Sequence, residues 1–583
     1  MPIERETPPI PAMPDEPAIS HSWRFFGPDS KAVGRLQSEF GLSPTLASIV
    51  LARGLVSDAE ISAFLDPSLS RLNNPFLFKD MEAAAARVAQ AIAMRESTCI
   101  YGDYDADGMT STALLKLFLA ELGLDARTFL PDREADGYGL NTERLAELAA
   151  SGTRLVICVD CGIKAVDAVE FAGSLGMDLV ILDHHMPGTV LPRAVAVVDP
   201  HRHDCPFPFK DLAAVGISFY FCGALRRHMI DTGRLAAPGP DIRQFLDLVA
   251  IGTVADVMPL LQDNRILVRA GLERMNGAPR PGIAALRSVS EIRGPITSGS
   301  ISFRMAPRLN ASGRMSHPDT SLSLLVAGDD REAAAWADRL NVDNSLRREV
   351  GAQVLEEARR AVLSERTEDS FAIVAAGEGW HPGVLGIVAA RLVEEFRVPS
   401  IVLSIDGGIA TGSGRSVEGF DLGAALAELD RMLLRNGGHP MAAGLSLKMT
   451  EFDDFAREFK AIAALRLGGR TQARILDIDA IVTIDVLNNE LLAEISSLEP
   501  FGIRNREPVL AASGVKIVQA RRVGRDGSHL KLQFEQNGTV ADGIWFGGAD
   551  CGLRTGMTVD VAFCLSPDLS GMKPSMKIQD VRI

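Results

Sequence analysis

No apolar run in the 583-residue sequence reaches the length of a membrane span. The first twenty residues are rich in proline and acidic side chains and lack the apolar core of a secretory signal. They are expected to form a disordered tail. Cysteine is sparse: seven residues, an odd number, scattered from Cys99 to Cys564. That is no disulfide framework, and a reducing, cytoplasmic setting is expected. Positive charge is short as well. Sixty Lys and Arg face 75 Asp and Glu, a net charge of −15. This argues against a generally basic nucleic-acid binder but leaves room for local basic grooves. A Gly-x-x-x-x-Gly-Lys-Ser/Thr loop is missing, which argues against an ATP motor. A Gly-x-Ser-x-Gly elbow is missing too.

What the sequence does have is Tyr101-Gly-Asp-Tyr-Asp-Ala-Asp-Gly108, with Asp103, Asp105 and Asp107 at every second position. Residues 97–101 before it read as a strand. Residues 109–122 after it carry Leu114, Leu115, Phe118, Leu119 and Leu122 at helical spacing. The acids therefore sit in a strand-to-helix loop, on the edge where open α/β sheets bind ligands. Three like charges this close raise one another's pKa, and a cation would remove the penalty. A plain polar turn needs one Asp, not three.

The length suggests roughly three to five domains. Residues 1–75 read as the tail plus a helical lead-in, with Ser57-Asp-Ala-Glu60 as a capping box. Residues 76–345 alternate strand and helix, which predicts an α/β domain with a parallel, doubly wound sheet. Strand after strand ends in an acid: Asp160-Cys-Gly162, Asp183-His184-His185, Asp199. Asp256 stands alone among apolar neighbours, as a paired charge or a ligand would. A long helix near 331–363 carries the polar face Asn341, Asn344, Arg347, Arg348, which reads as solvated surface; residues 346–369 form the connector. Residues 370–467 form a second α/β unit holding two Gly-rich stretches, 411–416 and 437–444, read as loops that suit phosphate. Residues 468–583, rich in short β-type segments, suggest an OB-type β-barrel. There Arg521, Arg522, Arg525, His529 and Lys531, near Phe534, Trp545 and Phe546, suit either a single nucleic-acid strand or a solvated hairpin over core aromatics.

Asp105, Asp107, Asp160, His184 and Asp256, with Asp103 close by, are the candidate ligands. Carboxylates with an imidazole suit Mg²⁺ or Mn²⁺. Several carboxylates could hold two ions that activate a water and clamp a phosphoryl oxygen, which makes phosphoester hydrolysis the reaction class. Cys158 and Cys161 have the spacing of half a zinc site, but no second pair exists.

These motifs resemble the DHH phosphoesterase family, named for its Asp-His-His, here Asp183-His184-His185. Asp103-Tyr-Asp-Ala-Asp-Gly108, Asp160-Cys-Gly162 and Asp256 match its other acidic motifs, and Gly437-Gly-His439 matches its associated domain. Ala306-Pro-Arg-Leu-Asn-Ala-Ser-Gly-Arg-Met315, Trp380-His-Pro-Gly-Val-Leu-Gly-Ile387, Gly412-Ser-Gly-Arg-Ser416 and Glu499-Pro-Phe-Gly502 resemble its branch of single-strand-specific 5′→3′ DNA exonucleases. Tyr101 stands where small-substrate members carry a His, and Ile503-Arg-Asn-Arg506 departs from the expected Gly-Asn-Pro run.

The resemblance implies a DHH catalytic domain, a DHH-associated domain and an OB-type domain that grips the strand. It implies two divalent ions on Asp105, Asp107, Asp160, His184 and Asp256, with Asp103 and His185 in the chemistry. Arg314 and His439 would reach phosphate oxygens near the cut. Ser413, Arg415 and Ser416 would receive the 5′ end, and Arg308, Asn310, Gly437 and Gly438 would line the substrate path. The implied activity is processive release of 5′-mononucleotides from single-stranded DNA in repair and recombination. A single-strand-binding protein and a helicase are the implied partners of a monomer.

Two other readings stay open here. One is a DHH hydrolase of short oligonucleotides, pAp or pyrophosphate. The other is a non-catalytic single-strand-binding scaffold, which would be expected to have lost ligands.

Overall fold

The computed structural model describes residues 22–133, 135–365, 370–468, 475–568 and 573–583. The tail expected at residues 1–20 and the last four residues of the expected connector lie outside them. The chain forms two compact units. One comprises Pro67–Gln472 with Pro500–Asn505; the other comprises Met1–Asp66, Ala473–Glu499 and Arg506–Ile583.

In the larger unit, five strands form the first sheet: β1 Thr98–Tyr101, β2 Arg127–Phe129, β3 Leu155–Val159, β4 Asp178–Leu182 and β5 Ala196–Val198. Every pairing is parallel, in the order β2-β1-β3-β4-β5. β1 and β3 are buried along their whole length, which explains their unbroken apolar sequences. The chain leaves β1 for β2 on one side and returns to β3 on the other. The acidic loop thus opens at the topological switch point, where the crevice of such sheets lies. Register does the rest. Tyr101 pairs with Cys158, Val159 with Leu182, and Leu182 with Val198, so residues 102–107, 160, 183–185 and 199 emerge on one edge.

The helix after the acidic loop spans Ala106–Glu121, three residues earlier than its apolar spacing indicates. The reason is its cap: the Asp105 carboxylate accepts from the amides of Asp107 and Gly108. A Cβ at Gly108 would lie 2.6 Å from the Asp103 amide nitrogen, so only glycine lets the loop fold onto the helix. Helices Ala214–Asp231 and Leu246–Ala255 pack against it, and the second ends at Asp256. A 3₁₀ turn, Ile242–Phe245, leads into the second of these helices.

A single helix, Asp330–Glu365, leads to the second sheet. Its strands are β6 Ile373–Glu378, β7 Ser400–Asp406, β8 Ile409–Arg415, β9 Arg435–His439 and β10 Ala442–Lys448, in the order β9-β10-β8-β7-β6. Here the sequence reading is corrected: both Gly-rich stretches are strands. At Gly412 a Cβ would lie 2.8 Å from Leu403 Cα on β7, so the glycines serve close strand packing.

In the smaller unit, strands Leu510–Val523, His529–Gln536, Thr539–Trp545, Pro574–Arg582 and Thr558–Pro567 close into a barrel, because the first pairs with the last. Leu510–Val523 is far longer than expected. Irregularities at Ala512/Val515 and Ile517/Gln519 bend it from one neighbour to the next. The lead-in is also corrected: it opens on a strand, Ser22–Phe25, paired in parallel with Ile475–Ile478. Trp23 packs with Ile478, Val509, Ala511 and Ala562, and its Nε1 donates to Asp580 at 2.7 Å. Three helices follow, the third held by the Ser57/Glu60 capping box. Phe534 is fully buried core, whereas Phe546 is 55% exposed and lies edge-on to His529.

Among the described residues no helix is long and apolar enough to cross a membrane. All seven cysteines are free thiols.

Candidate metal centre

The acids at the strand ends and Asp256 at a helix end converge. Nε2 of His184 lies 3.2 Å from Asp160, 3.6 Å from Asp256 and 3.9 Å from Asp107. Three overlapping groups each bring ligand atoms within 4.8 Å of one another: Asp160, His184 and His185; Asp107, His184 and Asp256; Asp103, Asp105 and Asp160. All seven residues expected around the metals are therefore assembled on one sheet edge. Cys158 and Cys161 belong to none of these groups and pack in the core beside Tyr101.

Asp107 is held by the backbone around it. Both Asp107 oxygens accept amide hydrogens, from Ala214 at 2.7 Å and Val215 at 2.9 Å, at the start of helix Ala214–Asp231. Asp160 adopts φ 63° and Val257, next to Asp256, φ 59°. A left-handed β-branched residue is rare, and such backbone gathers where a site over-determines the conformation.

The electrostatics fit cations. Burial and then the Asp105 charge push Asp103 up to about 8 and Asp107 up to about 7. Asp160 and Asp256 are also raised, well above the usual carboxylate range, by burial and by the neighbouring carboxylates. Asp103 Oδ1 and Asp256 Oδ2 are buried without a hydrogen-bond partner. Burial, then the His185 charge, lowers His184 to about 4, which leaves it neutral with a lone pair to donate. Orphaned carboxylate oxygens, mutual repulsion and a neutral imidazole form the donor set that divalent Mn²⁺ or Mg²⁺ takes.

Asp183 was named in the sequence motif but given no role; the structure supplies one. Its Oδ2 accepts from the Ile163 amide at 2.9 Å, and its Oδ1 from the amides of His184 and His185 and from His185 Nδ1. Burial works against its charge, yet the His185 hydrogen bond and both imidazoles hold it down at about 2. It fixes the rings rather than facing a ligand.

Cationic side chains surround the acids. Arg314 is lowered to about 10, by burial and then by Arg133, Arg347 and Arg415. Its NH1 donates to Gly383 O at 3.2 Å. Arg133 lies 4.2 Å over the Tyr104 ring. Arg308, Asn310, Arg314, Asn344, Arg347 and Arg348 line a cleft of about 910 Å³ with Phe303, which is 82% exposed. The helix face read as solvated therefore borders this cleft, and Asn344 is only 4% exposed. Asn310 Oδ1 accepts from the Ala106 amide at 2.7 Å, so its amide NH₂ is what remains for a ligand.

Ser413 and Arg415 lie on β8, and the Arg415 NH1 donates to Gly414 O. Ser416, expected at the 5′ end, is buried, and its hydroxyl donates to Phe420 O at 2.6 Å. Gly437, Gly438 and His439 line a second cleft, of about 620 Å³, with Tyr138, Lys164, Asp183 and His185. The Tyr138 hydroxyl lies 3.2 Å from His185 Nε2. Arg133, Tyr138 and Lys164 were passed over in the sequence. The first two sit in the loop after β2, whose place on the acidic edge was the available signal.

Comparison with known proteins agrees with this architecture. The DHH family, N-terminal domain, matches residues 97–253; the DHHA1 domain matches 368–465; the RecJ OB domain matches 478–578. The chain is 35% identical over 569 residues to the single-stranded-DNA-specific exonuclease RecJ of Bacillus subtilis, covering 96% of this chain and 71% of that protein. The crystal structure of Thermus thermophilus RecJ with Mn²⁺ superposes with a TM-score of 0.81 at 29% identity, covering 96% of this chain and 79% of the other. The same protein with Mg²⁺ gives 0.75 at 28% identity, covering 96% and 78%. With a parallel sheet that gathers seven acid and imidazole side chains, an associated second sheet and a closed barrel, the chain belongs to the RecJ family of single-stranded-DNA-specific exonucleases and is a metal-dependent nuclease.

Proposed function

We propose that the chain degrades single-stranded DNA from the 5′ end, releasing 5′-mononucleotides by two-metal-ion hydrolysis, in DNA repair and recombination. The observation that carries the reading is the three overlapping ligand groups, which share Asp160 and His184. A shared carboxylate and imidazole between flanking triads suit two ions rather than one. When bound, the ions lower the pKa of water and polarise the phosphoryl oxygen.

The chain's own residues divide the remaining work. Asp105, Asp107, Asp160, His184 and Asp256 hold the ions, and Asp103 completes the acidic wall. Arg314, His185 and His439 meet the scissile phosphate, and Ser413 and Arg415 meet the terminal one. The oxygen of water bonds to phosphorus, and the bond from phosphorus to the 3′-oxygen of the first nucleotide breaks. One proton of the water goes to a site base and one is delivered to the departing oxygen. The shortened strand keeps a 5′-phosphate and is a substrate again. Arg308, Arg347 and Arg348, beside the exposed Phe303, supply the charge and stacking surface a single strand needs. A single-strand-binding protein and a helicase fit as partners, because each would present such strands to a monomeric, cytoplasmic enzyme.

The test is incubation with 5′-labelled or 3′-labelled single strands in Mn²⁺, Mg²⁺ or chelator, with duplex as control. Early, metal-dependent release of mononucleotide from the 5′ label alone supports the reading. Tight binding without cleavage, or cleavage of short oligonucleotides only, would defeat it.

A further inference from the structure

The second cleft holds a cation that neither the acidic centre nor the arginine group uses. Lys164 stands four residues beyond Asp160, in the turn between β3 and helix Val166–Ser174. That turn is tightly held. The Ile163 amide donates to Asp183 Oδ2 at 2.9 Å, the Ala165 amide to Gly162 O at 3.0 Å, and the Val166 amide to Lys164 O at 3.0 Å. The hydrogen bond next to Lys164 thus ends on the carboxylate that fixes His185.

Lys164 is exposed and lines the cleft with Tyr138, His185 and His439. Among the described residues it forms no ion pair, although acids outnumber bases in the chain 75 to 60. No arginine lines this cleft among the described residues. The cleft shares Asp183 and His185 with the metal centre, so a phosphate bound at His185 comes within reach of a flexible, four-carbon side chain.

We infer that Lys164 is a positioning residue that, with His439, holds the scissile phosphate from the second cleft. The inference rests on the reading of this site as a phosphodiesterase. Lysine acts there as a mobile point charge, with no geometry of its own to impose. The lowering of His439 by burial and then by Lys164 and His185 agrees with the three groups facing one space.

The test uses the full chain with Lys164→Gln and Lys164→Arg, on single strands bearing a 5′-phosphate or a 5′-hydroxyl, over a range of salt. Lys164→Gln should lower kcat/KM about tenfold, the loss of one charged hydrogen bond. The loss should be equal on both kinds of end. The logarithm of strand affinity against the logarithm of salt should become shallower by about 0.7, one phosphate contact on a single strand. Lys164→Arg should restore most of both, and Mn²⁺ affinity should not change. An unchanged salt slope overturns the inference, as does a loss confined to 5′-phosphorylated ends. The slope is also measured by equilibrium binding in chelator. If the unmutated enzyme does not hydrolyse, the proposed function fails while the slope still decides Lys164.

Discussion

Asp183 and His185 share a 2.8 Å hydrogen bond, and the same Asp183 oxygen also accepts the amides of His184 and His185. One buried carboxylate therefore sets both the peptide turn and the ring orientation at the centre of the site. Asp183→Asn keeps the shape but turns one acceptor into a donor. It is expected to lower activity by about 10–100-fold, as loss of such supporting groups does, with unchanged circular dichroism. Steady-state kinetics at saturating Mn²⁺ checks this; near-normal kcat would remove the positioning role.

Asp160→Ala and His184→Ala are expected to abolish hydrolysis while the protein stays folded. Both side chains belong to two of the three ligand groups. Calorimetry of each variant with and without Mn²⁺ separates the causes. The unmutated protein should gain stability on metal addition, about 2.7 kcal/mol at a hundred times Kd, and the variants much less. Substantial activity in either variant would sink the metal assignment.

The pH dependence of the metal-free protein follows from the raised carboxylates. Asp103 at about 8 and Asp107 at about 7 stay protonated in the folded state where the unfolded chain has ionised them. The folded state then binds more protons, so stability falls as pH rises from about 4 to about 8. Divalent ions displace these protons, so Mn²⁺ binding should release protons and tighten across that window. Thermal melts at several pH values, with and without metal, and titration calorimetry in two buffers measure both effects. A metal-free melting temperature that rises through the window would contradict the assignment.

Arg415 is half-buried near Arg133, with its guanidinium against Gly386. Arg415→Ala is expected to erase the preference for a 5′-phosphate over a 5′-hydroxyl more than it slows cleavage. Competition between the two kinds of strand reads this directly; equal losses on both would place Arg415 elsewhere.

The first sheet was legible because its central strands are buried along their whole length and acids follow one strand after another. Periodicity and turn chemistry then agree. Most of the acids and imidazoles that the structure brings together were legible in the same way, because they follow strands; Asp256 follows a helix and stood out only as a lone acid among apolar neighbours. What failed was non-local. Nothing near Trp23 announces a strand whose partner, Leu476, lies far along the chain. Gly412 and Gly438 signal freedom in a sequence, but in the fold they serve close packing of strands. The face with Asn344 and Arg348 looks solvated along its own helix, and only the facing segment with Arg308 turns it into a cleft wall.

The most direct measurement is anomalous diffraction at the manganese edge from crystals of the full chain grown with Mn²⁺. The account predicts two peaks, about 3.5–4 Å apart, bounded by Asp105, Asp107, Asp160, His184 and Asp256. A single peak, or none among these residues, would contradict it.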